Sequence, residues 1–189
     1  MNRQKVKVTL LALVLIASAL ALASATAPRK SPEFTINDSS GKTMLLSSFR
    51  GKVVVLEFLF IKSEHCLRVA KTLNKLHDEL GARGFQPVGA VFDPPSTPNA
   101  GGQLLTYIVD YFKLTYPVGY SGKADVDRYL GRTGNEILWI PQVVVIDRAG
   151  MIRATSGGTG DASLEDENSL RNLIDGLLKE GETVDSGKK

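Results

Sequence analysis

Apolar residues in this chain alternate between continuous runs and recurrences at helical spacing. Val53-Val54-Val55-Leu56-Glu57-Phe58-Leu59-Phe60 is nearly unbroken and rich in β-branched and aromatic side chains, as a strand covered on both faces should be. Leu67, Ala70, Leu73, Leu76, His77 and Leu80 then recur at helical spacing, which predicts a helix with stops at Gly81 and Gly84. Val88-Gly89-Ala90-Val91-Phe92 reads as a second buried strand, followed by the loop Asp93-Pro94-Pro95-Ser96-Thr97-Pro98 and an amphipathic helix carrying Leu104, Leu105, Ile108, Val109 and Phe112.

Shorter signals complete the pattern. Phe34-Thr35-Ile36 and Thr43-Met44-Leu45 flank the turn-prone Asn37–Gly41, which predicts a hairpin. Tyr116–Tyr120 reads as extended and Ala124–Leu130 as a short helix. Pro141 opens the strand Val143–Ile146, and the turn Asp147-Arg148-Ala149-Gly150 joins it to Met151–Thr155. Leu164, Leu170, Leu173, Ile174, Leu177 and Leu178 form a last helix, with a polar tail from Gly181 expected to fray. The order β-β, β-α-β-α-β-α, β-β-α predicts an α/β domain with a mixed central sheet and helices on both faces.

The first 27 residues follow a different rule. Arg3, Lys5 and Lys7 precede an apolar run from Val8 to Ala25, and Ala23-Ser24-Ala25 ends it, the layout of an export signal. Residues 1–25 are read as a signal peptide, or as an uncleaved anchor since the run approaches a membrane-spanning length. Residues 26–180 are then the domain and 181–189 a flexible tail. Either reading of the leader places the domain outside the cytoplasm, in the periplasm or an equivalent space.

Composition narrows the chemistry. Of 189 residues, 43% are hydrophobic and 23% charged, which excludes disorder and fibrous classes. The formal charge of +3 leans on the basic termini, and what remains is close to neutral, with no footprint for nucleic acid. A single cysteine, Cys66, can neither close an intramolecular disulfide nor build a thiolate-rich zinc site. No metal site and no cofactor motif is found.

A strand followed by a turn, a cysteine and a helix, with Ile140-Pro141 and a hairpin much later, resembles the thioredoxin fold. Leu45-Leu46-Ser47-Ser48-Phe49-Arg50-Gly51-Lys52-Val53-Val54-Val55 is similar to the signature of the TlpA/ResA-type, AhpC/TSA-like redoxin group of exported proteins. The resemblance runs from about Ser31 to about Lys179. It implies the thioredoxin fold with an N-terminal β-hairpin extension and a central insertion. It also implies a cis bond at Ile140-Pro141, whose backbone would meet a substrate cysteine. Trp139 is read as packing beside that step, and His77 as a satisfied boundary histidine.

The same resemblance places Ser63-Glu64-His65-Cys66 on the group's C-x-x-C motif. Ser63 stands at the attacking position, where it also makes a good helix cap, and Cys66 stands at the resolving position. Cys66 is either a buried small hydrophobe or a lone reactive thiol, which His65 would favour as thiolate and Glu64 oppose. Glu57 matches the buried acid that moves a proton for the resolving cysteine, unless a basic side chain neutralises it or it faces outward at a sheet margin.

The expected function is an exported thiol-disulfide oxidoreductase with a degenerate centre, acting, if at all, through mixed disulfides at Cys66 with protein thiols or an exported redox partner. Two alternatives stay open. One is a redox-inactive module binding proteins or peptides. The other is a one-cysteine thiol peroxidase of antioxidant type, although Leu59 stands where such enzymes carry a proline. The chain is expected to be monomeric and to meet a membrane only through an uncleaved leader.

Overall fold

The computed structural model describes residues 28–92, 98–133 and 135–185. The leader and most of the proline-rich loop lie outside them. Eight strands form one mixed sheet: β1 (Arg29–Lys30), β2 (Thr35–Asn37), β3 (Thr43–Leu45), β4 (Val53–Leu59), β5 (Phe85–Val91), β6 (Val118–Tyr120), β7 (Gln142–Ile146) and β8 (Met151–Thr155). Their spatial order is β1-β8-β7-β4-β5-β6-β2-β3. β4, β5 and β6 run parallel, while β7 lies antiparallel to β4 and β2 antiparallel to β6.

Every residue of β4 is buried, because its side chains alternate between two covered faces. Val53, Val55 and Leu59 face helices α1 (Glu64–Leu80), α2 (Pro98–Phe112) and α4 (Glu167–Asp185), meeting Val69, Leu73, Leu105, Ile108, Leu170 and Ile174. Val54, Leu56 and Phe58 face the short helix α3 (Lys123–Leu130) and the N-terminal hairpin, meeting Phe34, Ile36, Val126 and Tyr129. Phe34 stands edge-on to both Phe58 and Tyr129, with ring centroids 5.2 Å apart in each pair. Odd-numbered positions of β4 therefore look toward α1, which puts Glu57 on the same side as Cys66.

The structure departs from the sequence pattern at four places. β5 begins at Phe85, three residues earlier than its apolar run, although Pro87 lies inside it. Pro87 shares the edge orientation of Gly89, whose N–H bonds to Pro117 of the β6 segment. β6 pairs only from Gly89 onward, so the donor that proline lacks would face no strand. β1 is two exposed basic residues paired with Ile152 and Met151 of β8, and no apolar period announces it.

Leu164 belongs to a 3-10 turn, Ala162–Leu164, and α4 starts later, at Glu167. Asp161 caps the turn through Ser163 N–H, and Asp166 Oδ1 accepts the Ser169 N–H at 2.9 Å as the cap of α4. At the other end the backbone stays helical to Asp185, through the start of the segment expected to fray. A glycine such as Gly181 costs a helix only about 1 kcal/mol, and four residues on either side of it continue the ladder. Among the described residues no helix is long and apolar enough to cross a membrane.

Candidate functional site

β4 delivers the chain to the N-terminus of α1 through Phe60-Ile61-Lys62. Ser63 N–H bonds back to the Phe60 carbonyl at 3.1 Å, and Leu67 N–H closes the first helical turn on the Ser63 carbonyl at 3.0 Å. Ser63 has extended backbone angles (φ −94°, ψ 115°), and its Oγ accepts the Cys66 N–H at 3.4 Å. It is the N-cap of α1, half-buried at the surface. Glu64 and His65 in the first turn are exposed, and His65 Nδ1 lies 3.7 Å from Glu165 Oε2.

Cys66 is completely buried, packed with Val69, Ala70 and the β4 face. Its Sγ accepts the Phe60 N–H at 3.4 Å. Burial pushes the thiol up to about 11; hydrogen bonds from Ser63 and Phe60 pull the other way, and the nearby Glu57 adds to the rise. The helix terminus does not prevail, because the cost of taking a thiolate out of water exceeds what the dipole returns.

Glu57 sits mid-strand, between Gly89 of β5 and Val143 of β7, with no exposed surface. Neither carboxyl oxygen has a hydrogen-bond partner. Burial first, and then the negative charge of Glu165, hold its carboxyl well above the ordinary 4.5. Its full burial excludes the outward face that a bare sequence allows, and among the described residues it belongs to no ion pair. Tyr116, whose hydroxyl bonds to the Ala70 carbonyl at 3.3 Å, is also raised by burial and by Glu57. Cys66 and Tyr116 are thus coupled to one acid, and both are favoured neutral when it ionises.

The opposite rim is the entry to β7. Phe58 pairs with Gln142, so the residues before Gln142 lie at the same end of the sheet as Ser63. The Ile140–Pro141 peptide bond is cis. Pro141 is buried, and Ile140 packs against the cores of both sheet faces. Trp139 does not pack as expected: it is 58% exposed, next to Ile137 at 77%. Gln142, itself buried, holds the backbone of this loop above Pro141: its Nε2 donates to the Trp139 carbonyl at 2.6 Å. His77, by contrast, meets its expectation, with Nδ1 3.0 Å from Thr115 Oγ1.

The structure therefore gathers Ser63, His65, Cys66, Ile140 and Pro141 at one end of the sheet, with Glu57 inside β4 on the Cys66 side and Glu64 exposed beside them. Sequence reasoning missed Gln142, Tyr116 and Glu165. A polar residue at the head of an otherwise apolar strand was the available signal for Gln142; no local pattern marks the other two. Among the described residues no group of three His, Cys, Asp or Glu is placed to hold a metal ion.

Solved structures share this architecture. A candidate protein disulfide isomerase of Bacteroides thetaiotaomicron is 27% identical, with a TM-score of 0.63 over 82% of this chain and 91% of that one. A thioredoxin-family thiol:disulfide interchange protein of Chlorobium tepidum matches at 18% identity and a TM-score of 0.64, over 80% of this chain and 97% of that one. A thiol:disulfide interchange protein of Bacteroides sp. matches at 20% identity and 0.62, over 81% and 90%. The fold is thioredoxin-like, and residues 28–155, which span β1 to β8 and so include both rims of the site, match the model of the AhpC/TSA family: the chain is a member of that family.

Proposed function

We propose that this protein is an exported, thioredoxin-like member of the thiol:disulfide oxidoreductase group that has kept the substrate platform and lost dithiol turnover. It holds extended segments of other proteins between the Ser63–His65 turn and the Ile137–Pro141 loop. The observation that carries this reading is the state of Cys66: fully buried, bonded to Phe60 N–H, its thiol raised to about 11. Ser63 occupies the accessible position and, with no base beside it, stays protonated at neutral pH. An exposed tryptophan and isoleucine beside a cis-proline supply an apolar anchor for a bound chain. Export rests on the charged, apolar and small-residue succession of residues 1–27.

Trp139 is the only tryptophan in the chain, so its fluorescence reports directly on the platform. Titration with a permanently unfolded, cysteine-blocked protein should shift its emission to the blue, equally in the unmodified protein and in Cys66→Ala. A Trp139→Ala variant, followed by calorimetry, should bind about tenfold more weakly. Loss of binding in Cys66→Ala would refute the reading.

Glu57 supports a second reading, in which Cys66 still forms mixed disulfides. Burial holds this unpartnered carboxyl protonated well above its ordinary value, so it is the ionised fraction, growing as pH rises, that can accept a proton on the cysteine's side of the sheet. Its uptake of the thiol proton would let the sulfur attack a substrate disulfide. One S–S bond would form and one break, the departing substrate thiolate would take up a proton, and an external thiol would be needed to release the product. Trapping of such adducts at Cys66, abolished by Glu57→Gln, would favour this reading. The peroxidase alternative finds no accessible thiolate in this geometry.

A further inference from the structure

The end of the sheet remote from Ser63 holds a cavity of about 350 Å3. Lys52 and Val54 at the start of β4 and Ile146 and Asp147 at the end of β7 line it, whereas Ser63 and Pro141 lie at the opposite ends of those strands. Phe49, Val54 and Ile146 give it an apolar wall continuous with the core on the α3 side. Pockets that hold small organic ligands begin at about 300 Å3.

Three cations, Lys30, Arg50 and Lys52, share the lining. Arg50 Nη1 donates to the Ala149 carbonyl at 3.4 Å, and Lys52 Nζ donates to the neutral Gln86 Oε1 at 2.9 Å. Among the described residues none of the three belongs to an ion pair within 4.0 Å.

The two carboxylates of the lining are already engaged. Glu33 Oε1 accepts the N–H groups of Ser47 and Phe34, each at 3.0 Å. Burial opposes its ionisation, but those bonds and the Arg50 charge hold it below its ordinary value. Asp147 accepts the N–H groups of Ala149 and Met151 and a bond from Arg153. Arg153 is itself offset by Glu180, so three lining cations against two carboxylates leave one positive charge over an apolar wall, which matches a monoanion with an apolar body better than a phosphate dianion.

We propose that this cavity binds a free medium-chain organic carboxylate, its chain against Phe49, Val54 and Ile146 and its head at Arg50 and Lys52. The site is separate from the platform at Pro141 and does not depend on its reading. The test is photo-cross-linking of the full chain with a diazirine-bearing octanoate, mapped by peptide mass spectrometry. Adducts should fall within residues 46–54 and 146–150. Unlabelled octanoate should compete at least about tenfold better than octanol, as charge-assisted bonds to the head require. The surface variant Arg50→Gln/Lys52→Gln, with an unchanged melting temperature, should erase that preference, and Ser47→Phe should block labelling by filling the cavity. Adducts confined elsewhere, equal competition by octanol, or a preference that survives the double substitution would overturn the proposal.

Discussion

A carboxyl in the middle of a buried seven-residue strand makes stability depend on pH in a definite direction. The folded Glu57 keeps its proton above 4.5, while the unfolded chain releases it, so the unfolded state gains as pH rises. The contribution of Glu57 to stability is fullest at low pH and falls by about 1.4 kcal/mol per unit for as long as the folded group stays protonated. Glu57→Gln removes this dependence, and denaturant unfolding at pH 5 and pH 8 should show the variant gaining on the parent between the two. A constant difference would mean that Glu57 ionises in the folded protein. Cys66 obeys the same rule at higher pH, its contribution fading as pH climbs from 9 toward about 11. At neutral pH its thiolate population is about 100-fold below that of an ordinary cysteine, so native alkylation should be at least that much slower than in the denatured chain.

At the scale of elements, the turn before α1 and the hairpin each depend on single residues. Ser63 fills the N-cap of α1 with a hydroxyl, and Ser63→Ala should cost about 1 kcal/mol in thermal or denaturant unfolding. The hairpin reaches the sheet where β2 meets β6, and there Gly119 lets Asn37 approach: an added Cβ would collide with the Asn37 carbonyl and the Ile36 side chain. Gly119→Ala should therefore destabilise by roughly 1–3 kcal/mol, with hydrogen exchange rising first in β2 and β3. An unchanged exchange pattern there would show that the hairpin is not held through β6. The helices were legible in the sequence because Leu73 and its neighbours repeat at helical spacing, and the long strands because Val54 and its neighbours form continuous apolar runs. β1 was not, since a two-residue edge of Arg29 and Lys30 carries no period; its pairing is decided by β8.

At the scale of the molecule, the sheet carries two regions at opposite ends, the cysteine-bearing turn with the cis-proline loop and the cationic cavity. The first was legible because Ser63, Cys66, Glu57 and Pro141 each resemble positions of a known motif. The exposure of Trp139 was not, because the loop before Pro141 takes its shape from long-range packing, with Gln142 bonding the Trp139 carbonyl only once the chain enters β7. The cavity was not either, because Lys30, Arg50 and Ile146 are distant in sequence and converge through the β1-β8-β7-β4 order. The central claim is that the fold still presents a competent site whose accessible nucleophile is absent. Its most direct test is the rate of insulin disulfide reduction under dithiothreitol for the unmodified protein, Cys66→Ala and Ser63→Cys. The account predicts that the first two match the uncatalysed rate and that Ser63→Cys exceeds them by at least about tenfold, since a thiol at the helix N-terminus gains the acidity that serine lacks. Turnover by the unmodified protein above Cys66→Ala, or none by Ser63→Cys, would contradict it.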